Sequence, residues 1–332
     1  MIELLNNKLT FRFPEVHNKA VCSIDFQRTL RIPDDNREYP LPPGLGHFPV
    51  EHVDDFSDKL PDAWRTHGGV FIPMYQSEAL WINFAGDYPC AVKIAAGKIN
   101  AVSGEPWSNG LSAKPQDYVV IPEQPWLDGF NVSEDFIRQF VAMPLGEGFS
   151  AEEQITGKAE HGGLQIIVYP MKRDVYAEHF ERLAEADLDY LDMPVFRCSA
   201  CESAAPDMGL APGGLMRQEI YEDEYGIDAW DLDNGFRCFV HLANSEQYQT
   251  ITGHHPPHKP ANVRDYSKAG LPWFDYYDDN KALPGSDTLS KLTSVAAKII
   301  GKGNATLPNN DPVQPKVIKI ISKANMVRDG EF

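Results

Sequence analysis

The chain has 332 residues, of which 42% are apolar and 11% aromatic, so it can bury a substantial core and is not disordered in bulk. Acidic residues outnumber basic ones by 48 to 30, and the resulting net charge of −18 disfavours nucleic acid and anionic membrane surfaces as partners. No apolar run reaches the ~18 residues that cross a bilayer, and the segment MIELLNNKLTFRF lacks the basic-then-apolar pattern of an export signal. Five irregularly spaced cysteines indicate reduced thiols. We therefore expect a cytoplasmic protein.

Short β-favouring runs, separated by Pro and Gly, follow one another along the chain and predict a largely antiparallel sheet protein. The predicted strands are residues 9–13, 20–32, 69–73, 79–84, 90–102 with a break at Gly97, 118–121, 137–143, 164–169, 236–242, 248–252 and 316–321.

Two segments, 175–191 and 287–300, repeat apolar residues at three- and four-residue steps and predict amphipathic helices packed on the outside. Residues 197–214 show no period and predict a long connection. It separates a β-rich domain at 1–196 from a closely packed second part at 197–332, unless the chain is one compact unit. The fold class predicted is α+β with β predominating, its antiparallel sheets forming a sandwich or an open barrel.

The stretch 73–162 interleaves polar side chains with aromatic ones and is the predicted location of a pocket. A structural interpretation competes with this one, because an Arg in a strand pairs with a carboxylate and a Trp or Gln beside Pro commonly closes a turn. The predicted ligand-binding residues are Tyr75, Gln76, Trp81, Trp126, Arg138, Gln139 and Gln154. We expect a binding or accessory protein whose partner is a small molecule or another protein.

The alternative is an enzyme, a metal-independent hydrolase or isomerase. Two carboxylates can act as general acid and base when their surroundings separate their pKa values, and Glu78 with Glu153 is the predicted pair, assisted by His161. This requires the sheet to bring Tyr75, Glu78, Arg138 and Glu153 to one cavity. No G-x-S-x-G nucleophile motif is present.

Two further motifs carry possible chemistry. Cysteines in CSAC (Cys198, Cys201) and histidines in GHHPPH (His254, His255, His258) make a zinc-binding protein the second alternative if the two segments meet. The aromatic segment GLPWFDYYDD, residues 270–279, can stack a planar ligand or fasten a loop to the body.

Several segments look familiar, among them RTLRIPDD, PMYQSEALWINF, QPWLDGF and RQFVAMPLGEGF. Together they resemble an uncharacterised bacterial protein family, and the resemblance covers most of the chain. It implies one full-length unit more than a fusion. Because that family has no assigned activity, the resemblance implies no catalytic or binding residue.

Overall fold

Most of the predicted strands form, and they assemble into two large sheets. The computed structural model describes residues 1–42, 44–181, 207–277, 280–307, 310, 312–315 and 317–321. The strands are β1 (Ile2–Leu5), β2 (Lys8–Arg12), β3 (Val21–Thr29), β4 (Glu38–Tyr39), β5 (Gly44–His47), β6 (Glu51–His52), β7 (Val70–Pro73), β8 (Ala79–Ala85), β9 (Cys90–Ala96), β10 (Ile99–Asn100), β11 (Val119–Ile121), β12 (Trp126–Leu127), β13 (Gly129–Asn131), β14 (Phe136–Pro144), β15 (Leu164–Pro170), β16 (Met208–Arg217), β17 (Phe236–Ala243), β18 (Trp273–Tyr277) and β19 (Val317–Ile321). The prediction of a β-predominant α+β fold is confirmed.

The first sheet has ten strands in the order β1-β2-β3-β8-β14-β16-β4, with β5, β12 and β13 pairing beside β3, β8 and β14. The second has seven, in the order β10-β9-β15-β17-β7-β6, with β11 beside β9. Most pairs are antiparallel, but β4, β7 and β19 run parallel to β16, β17 and β18. The sheets are therefore mixed, and they are not closed into a barrel.

Alternation along the strands builds one core between these sheets. On β8, Leu80, Ile82 and Phe84 are buried, whereas the alternating residues Trp81 and Asn83 are only half-buried. The core cluster that holds Ile82 also holds Ile94 of the second sheet. Successive strand residues point to opposite faces, so Trp81 and Asn83 lie on the face of the ten-stranded sheet that is turned away from the core.

The helices are short. They are α1 (Asp62–His67), α2 (Ala151–Thr156), α3 (Arg173–Tyr176), α4 (Ser245–Thr252), α5 (Val263–Lys268), α6 (Asp287–Ser290) and α7 (Val295–Gly301), with 3-10 turns at Asp54–Lys59, Ile227–Ala229 and Leu232–Asn234 and a π-helical turn at Ala177–Glu181. Within the described ranges, no helix combines the length and apolarity that crossing a bilayer demands.

The single helix predicted at 287–300 is instead two helices, α6 and α7. Ser294 ends the intervening turn, because its hydroxyl accepts a hydrogen bond from the Ala297 N–H and so caps a new helix. The Thr293 N–H just before it is held by the side chain of Gln154, at 2.8 Å. The apolar period is continuous across this break, but the local hydrogen bonds are not.

The strand predicted at 248–252 is wrong, since these residues belong to α4. Asn244 caps this helix by accepting from the Glu246 and Gln247 N–H groups, and Gly253 ends it in the left-handed conformation. Tyr248 and Ile251 are the buried residues of its inner face. The three-residue spacing of Tyr248 and Ile251 places both on one face of a helix, whereas strand residues of one face are two apart.

The connection predicted at 197–214 is wrong over its second half, where 208–214 belong to strand β16. This strand contains Pro212, Gly213 and Gly214 and still pairs with β14, with a register shift beside Pro212. The predicted helix at 175–191 is described only to residue 181, and the predicted boundary at 196/197 lies outside the described residues. Of the strands that follow that boundary, β16 pairs within the ten-stranded sheet and β17 within the seven-stranded sheet.

Candidate ligand-binding site

The register of two short strands brings aromatic and acidic side chains together on the outward face of the ten-stranded sheet. Strand β12 pairs with β8, placing Trp126 opposite Asn83 and Leu127 opposite Ile82. One step further along the same register, Asp128 lies beside Trp81. Because side chains of one face alternate along each strand, Trp81, Trp126 and Asp128 share this face.

A pocket of about 300 Å³ lies over these residues, and we call it the aromatic pocket. Its walls are Leu41, Pro42, Gly44, Trp81, Trp126, Asp128, Phe274 and Tyr276. The last two come from β18, which is fastened to the body by reciprocal backbone hydrogen bonds of 2.8 Å between Leu41 and Phe274. The volume is at the lower end of small-molecule sites, so one ring or a similarly small group fits.

The rings of the aromatic pocket meet edge to face. The Trp81 and Trp126 centroids are 6.5 Å apart at 78°, and those of Trp126 and Tyr276 are 4.6 Å apart at 80°. This is the arrangement that ring quadrupoles favour. Gly44 lets its strand approach closely, because a Cβ there would lie 3.1 Å from the Trp81 ring. The walls are therefore held in place by packing before any ligand enters.

Two buried polar atoms in these walls have no hydrogen-bond partner among the residues that the structure describes, namely Trp81 Nε1 and Asp128 Oδ2. The backbone of Asp128 is fully used, its N–H donating to Gln218 Oε1 at 2.9 Å and its carbonyl accepting from the Phe140 N–H at 3.0 Å. Burial raises the pKa of Asp128 to about 7, and a hydrogen bond from the Trp126 side chain opposes this rise. The walls of the aromatic pocket thus contain one buried N–H donor and one buried carboxyl oxygen that no described residue pairs.

Asp25 is a second buried carboxylate on the same face, and it has both cationic and hydrogen-bonding partners. Asp25 is 2% exposed and contacts Lys8 at 3.6 Å, His47 Nδ1 at 3.1 Å and Asn83 Nδ2 at 3.0 Å. Asp128 has no comparable set. Among the described residues, no cation contacts Asp128, and its Oδ2 has no hydrogen-bond donor.

Glu78 lies at a different place, immediately before β8. It is buried, with Oε1 3.2 Å from Arg28 Nε and Oε2 accepting from the Tyr75 N–H at 3.0 Å. Burial raises the pKa of Glu78 to about 7 although Arg28 and the Tyr75 N–H lower it. Glu78 and the exposed Gln76 line a second pocket of about 450 Å³, together with Arg31. Its walls do not include Arg138, Glu153 or His161.

Glu153 is engaged in capping α2. Its carboxylate accepts from the N–H groups of Gly146, Gly148 and Ser150 at 2.8 to 3.0 Å, and the Ser150 hydroxyl accepts from the Glu153 N–H. These hydrogen bonds lower the pKa of Glu153 against the effect of its burial. The structure does not bring it to Glu78, and its contacts are those of a capping box.

The neighbouring Glu152 is the one that contacts His161. Its Oε2 accepts from the His161 N–H at 3.1 Å, and burial raises the pKa of Glu152 to about 7. Burial and Lys98 lower the pKa of His161. The absence of a side chain at Gly97 permits this packing, since a Cβ there would collide with Glu152 Oε2.

Three predicted ligand-binding residues have their polar groups used within the fold. Gln139 is fully buried and bridges Leu30 and Ile32, donating to the carbonyl of the first at 2.9 Å and accepting from the N–H of the second at 3.0 Å. Arg138 donates to the Gly213 carbonyl at 3.1 Å. Gln154 donates to the carbonyls of Phe149 and Thr293. Of the predicted set, Trp81 and Trp126 are the two that line the aromatic pocket.

The histidines of the zinc alternative line neither of these two pockets, and its cysteines lie outside the described residues. His254, His255 and His258 are exposed, whereas Cys198 and Cys201 lie outside the described residues. In the part of the chain that the structure covers, no group of three or more His, Cys, Asp or Glu side chains is arranged to hold a metal ion.

Asp128 is the residue that sequence reasoning overlooked. The signal was present in QPWLDGF, where Trp126 and Asp128 alternate around a buried Leu127 and therefore share a face. The opposite wall depends on pairings between distant segments and had no local signal; its residues are Leu41, Pro42, Gly44, Phe274 and Tyr276.

Comparison of the chain with protein-family models, with curated proteins and with solved structures finds no significant match. The site is therefore interpreted from its own chemistry.

Proposed function

We propose that the protein binds a small organic molecule in the aromatic pocket. The supporting observation is that two buried polar groups in an aromatic wall, Trp81 Nε1 and Asp128 Oδ2, have no partner among the described residues. A buried polar group left unsatisfied costs about 1–3 kcal/mol. A ligand that pairs both groups recovers this cost and also buries its apolar part against the rings.

The predicted ligand-binding pair Trp81 and Trp126 enters this proposal as the aromatic anchors. The reducing, cytoplasmic setting expected from the sequence belongs to it as well, supported by the free buried thiols of Cys22, Cys90 and Cys238. Aromatic walls with a few converging polar groups are typical of small-molecule sites. Binding, with no chemical step, is the simplest use of this arrangement.

A thermal-shift screen against metabolites tests the proposal, because a ligand at 100 times its Kd stabilises the folded state by about 2.7 kcal/mol. We expect a hit whose stabilisation falls in the Trp81→Phe variant and persists in Trp107→Phe. Trp107 is the matched control, since its buried Nε1 also lacks a partner in the described residues but lies outside the aromatic pocket. Equal stabilisation of both variants would refute binding at this site.

Acid–base catalysis at Glu78 is the second candidate function, supported by its buried carboxyl, its raised pKa and its place in the wall of the 450 Å³ pocket. The predicted partners Glu153 and His161 would have to act elsewhere, so Glu78 alone carries this alternative. Incubation of wild type and Glu78→Gln with a metabolite extract tests it by mass spectrometry. A compound consumed by the wild type alone supports catalysis, and identical profiles count against it.

A further inference from the structure

We infer that the aromatic pocket selects an organic ammonium ion, with its N–H groups on Asp128 and its carbon atoms between Trp81, Trp126 and Tyr276. This inference rests on the proposed function and specifies its ligand class. It follows from three properties of the pocket, namely its charge, its unused hydrogen-bonding atoms and its aromatic faces.

Among the described residues, Asp128 has no cationic side chain beside it in the aromatic pocket. It is the only charged side chain among the described residues that line the aromatic pocket. Nearby cations are already paired, Arg217 with Asp275 at 3.3 Å and Lys8 with Asp25 at 3.6 Å. His47 also contacts Asp25. A ligand cation would therefore supply the positive charge that Asp128 lacks. The net charge of −18 also attracts cations to the protein surface.

The unpaired oxygen of Asp128 favours ammonium ions that carry N–H groups over those that do not. No described residue donates a hydrogen bond to Asp128 Oδ2, and a quaternary ammonium has no N–H to donate. A primary or secondary ammonium donates to it in a charge-assisted hydrogen bond, which is about twice as strong as a neutral one. Trp81 Nε1 adds a preference for a hydroxyl or carbonyl on the same ligand, because it needs an acceptor.

The aromatic faces complete the case. A cation near Trp or Tyr is attracted by the negative face of the ring, and this attraction strengthens when water is excluded. Trp126 lies between Trp81 and Tyr276, within 6.5 Å and 4.6 Å of their centroids. The same rings accept the apolar part of an amine, so one small ligand satisfies all three properties.

The proton balance of binding follows directly. Below its pKa of about 7, Asp128 carries a proton. The incoming ammonium displaces this proton to the buffer and pairs with the carboxylate that remains. The affinity for an amine therefore increases with pH, by up to about tenfold per pH unit, until Asp128 is ionised.

Three probes of one shape test the inference by calorimetry on the full chain, namely benzylamine, benzyl alcohol and benzyltrimethylammonium. We expect wild type to bind benzylamine most tightly, with an affinity that increases as the pH passes through about 7. In Asp128→Asn the benzylamine affinity should fall about tenfold to a hundredfold, while the affinity for benzyl alcohol changes little. Glu123→Gln is the control, since it neutralises a carboxylate outside the aromatic pocket whose Oε2 also lacks a described partner.

The outcomes separate the two proposals. If benzyl alcohol binds wild type as tightly as benzylamine at every pH, the ammonium inference is overturned while small-molecule binding stands. If benzyltrimethylammonium matches benzylamine, the role of Asp128 as hydrogen-bond acceptor is overturned. If none of the three binds at millimolar concentration, the ammonium inference is overturned, and the thermal-shift screen against metabolites decides the proposed function separately. The comparison among probes on wild type decides the matter even if Asp128→Asn fails to fold.

Discussion

The substitution Asp128→Asn should stabilise the unliganded protein, and the gain should depend on pH. Burial raises the pKa of Asp128 from 3.8 to about 7 in the folded protein. Because one pKa unit corresponds to about 1.36 kcal/mol, folding costs the ionised form about 4 kcal/mol. The amide has nearly the same shape, carries no charge and avoids this cost.

The sign follows from proton binding. Between the unfolded pKa of 3.8 and the folded pKa of about 7, the folded protein holds a proton that the unfolded chain has released. Stability contributed by Asp128 is thus fully present below the lower value and is lost as the pH rises through the upper one. The variant lacks this loss, so its advantage should grow across that interval and then stay constant.

Urea unfolding of both proteins at a series of pH values measures this difference, with equal m-values as the check that the unfolding transition is unchanged. We expect the two stabilities to differ least near the low end of the interval and by up to about 4 kcal/mol above its high end. A difference that does not vary with pH would refute the reasoning, because Asp128 would then be ionised throughout and paired with a group in the folded protein.

Three smaller predictions follow from contacts elsewhere. Ser150→Ala should lower the free energy of unfolding by about 0.5–2 kcal/mol in urea titration, because it breaks the cap shared with Glu153; an unchanged value would contradict the capping role. Gln139→Leu should cost about 2–4 kcal/mol, because it leaves two buried backbone groups unpaired, and a loss below 1 kcal/mol would show that water replaces it. Trp81→Phe should leave the melting temperature unchanged or slightly higher, since the N–H it removes has no described partner, and a large decrease would reveal one.

Most strands could be predicted from the sequence because each depends on a local alternation of apolar and polar residues. The segment 79–84 became β8, and its half-buried Trp81 lies between buried Leu80 and Ile82, as an alternating pattern requires. Where a helix and a strand share a short apolar spacing, as at 248–252, alternation alone could not decide. There the side-chain cap at Asn244 determined the outcome.

The site was predictable only in part, for a related reason. Trp81 and Trp126 were placed together because both lie in the 73–162 stretch, and strand pairing does bring them to one face. Glu153 could have been recognised as a capping residue, since Ser150 precedes it by three positions in the order typical of a capping box. The wall formed by β18 depends on contacts between distant segments, which no local pattern contains.

The attachment of β18 beside Leu41 couples ligand binding in the aromatic pocket to the position of the small sheet. The small parallel sheet of β18 and β19 supplies Phe274 and Tyr276 to the aromatic pocket, while Trp81 and Trp126 belong to the large sheet. In the proposed binding mode, a ligand in the aromatic pocket contacts both of these sheets at once. By linkage, separation of the small sheet from the large sheet would weaken ligand binding. Ligand binding would in turn stabilise the contact between the sheets by the same free energy.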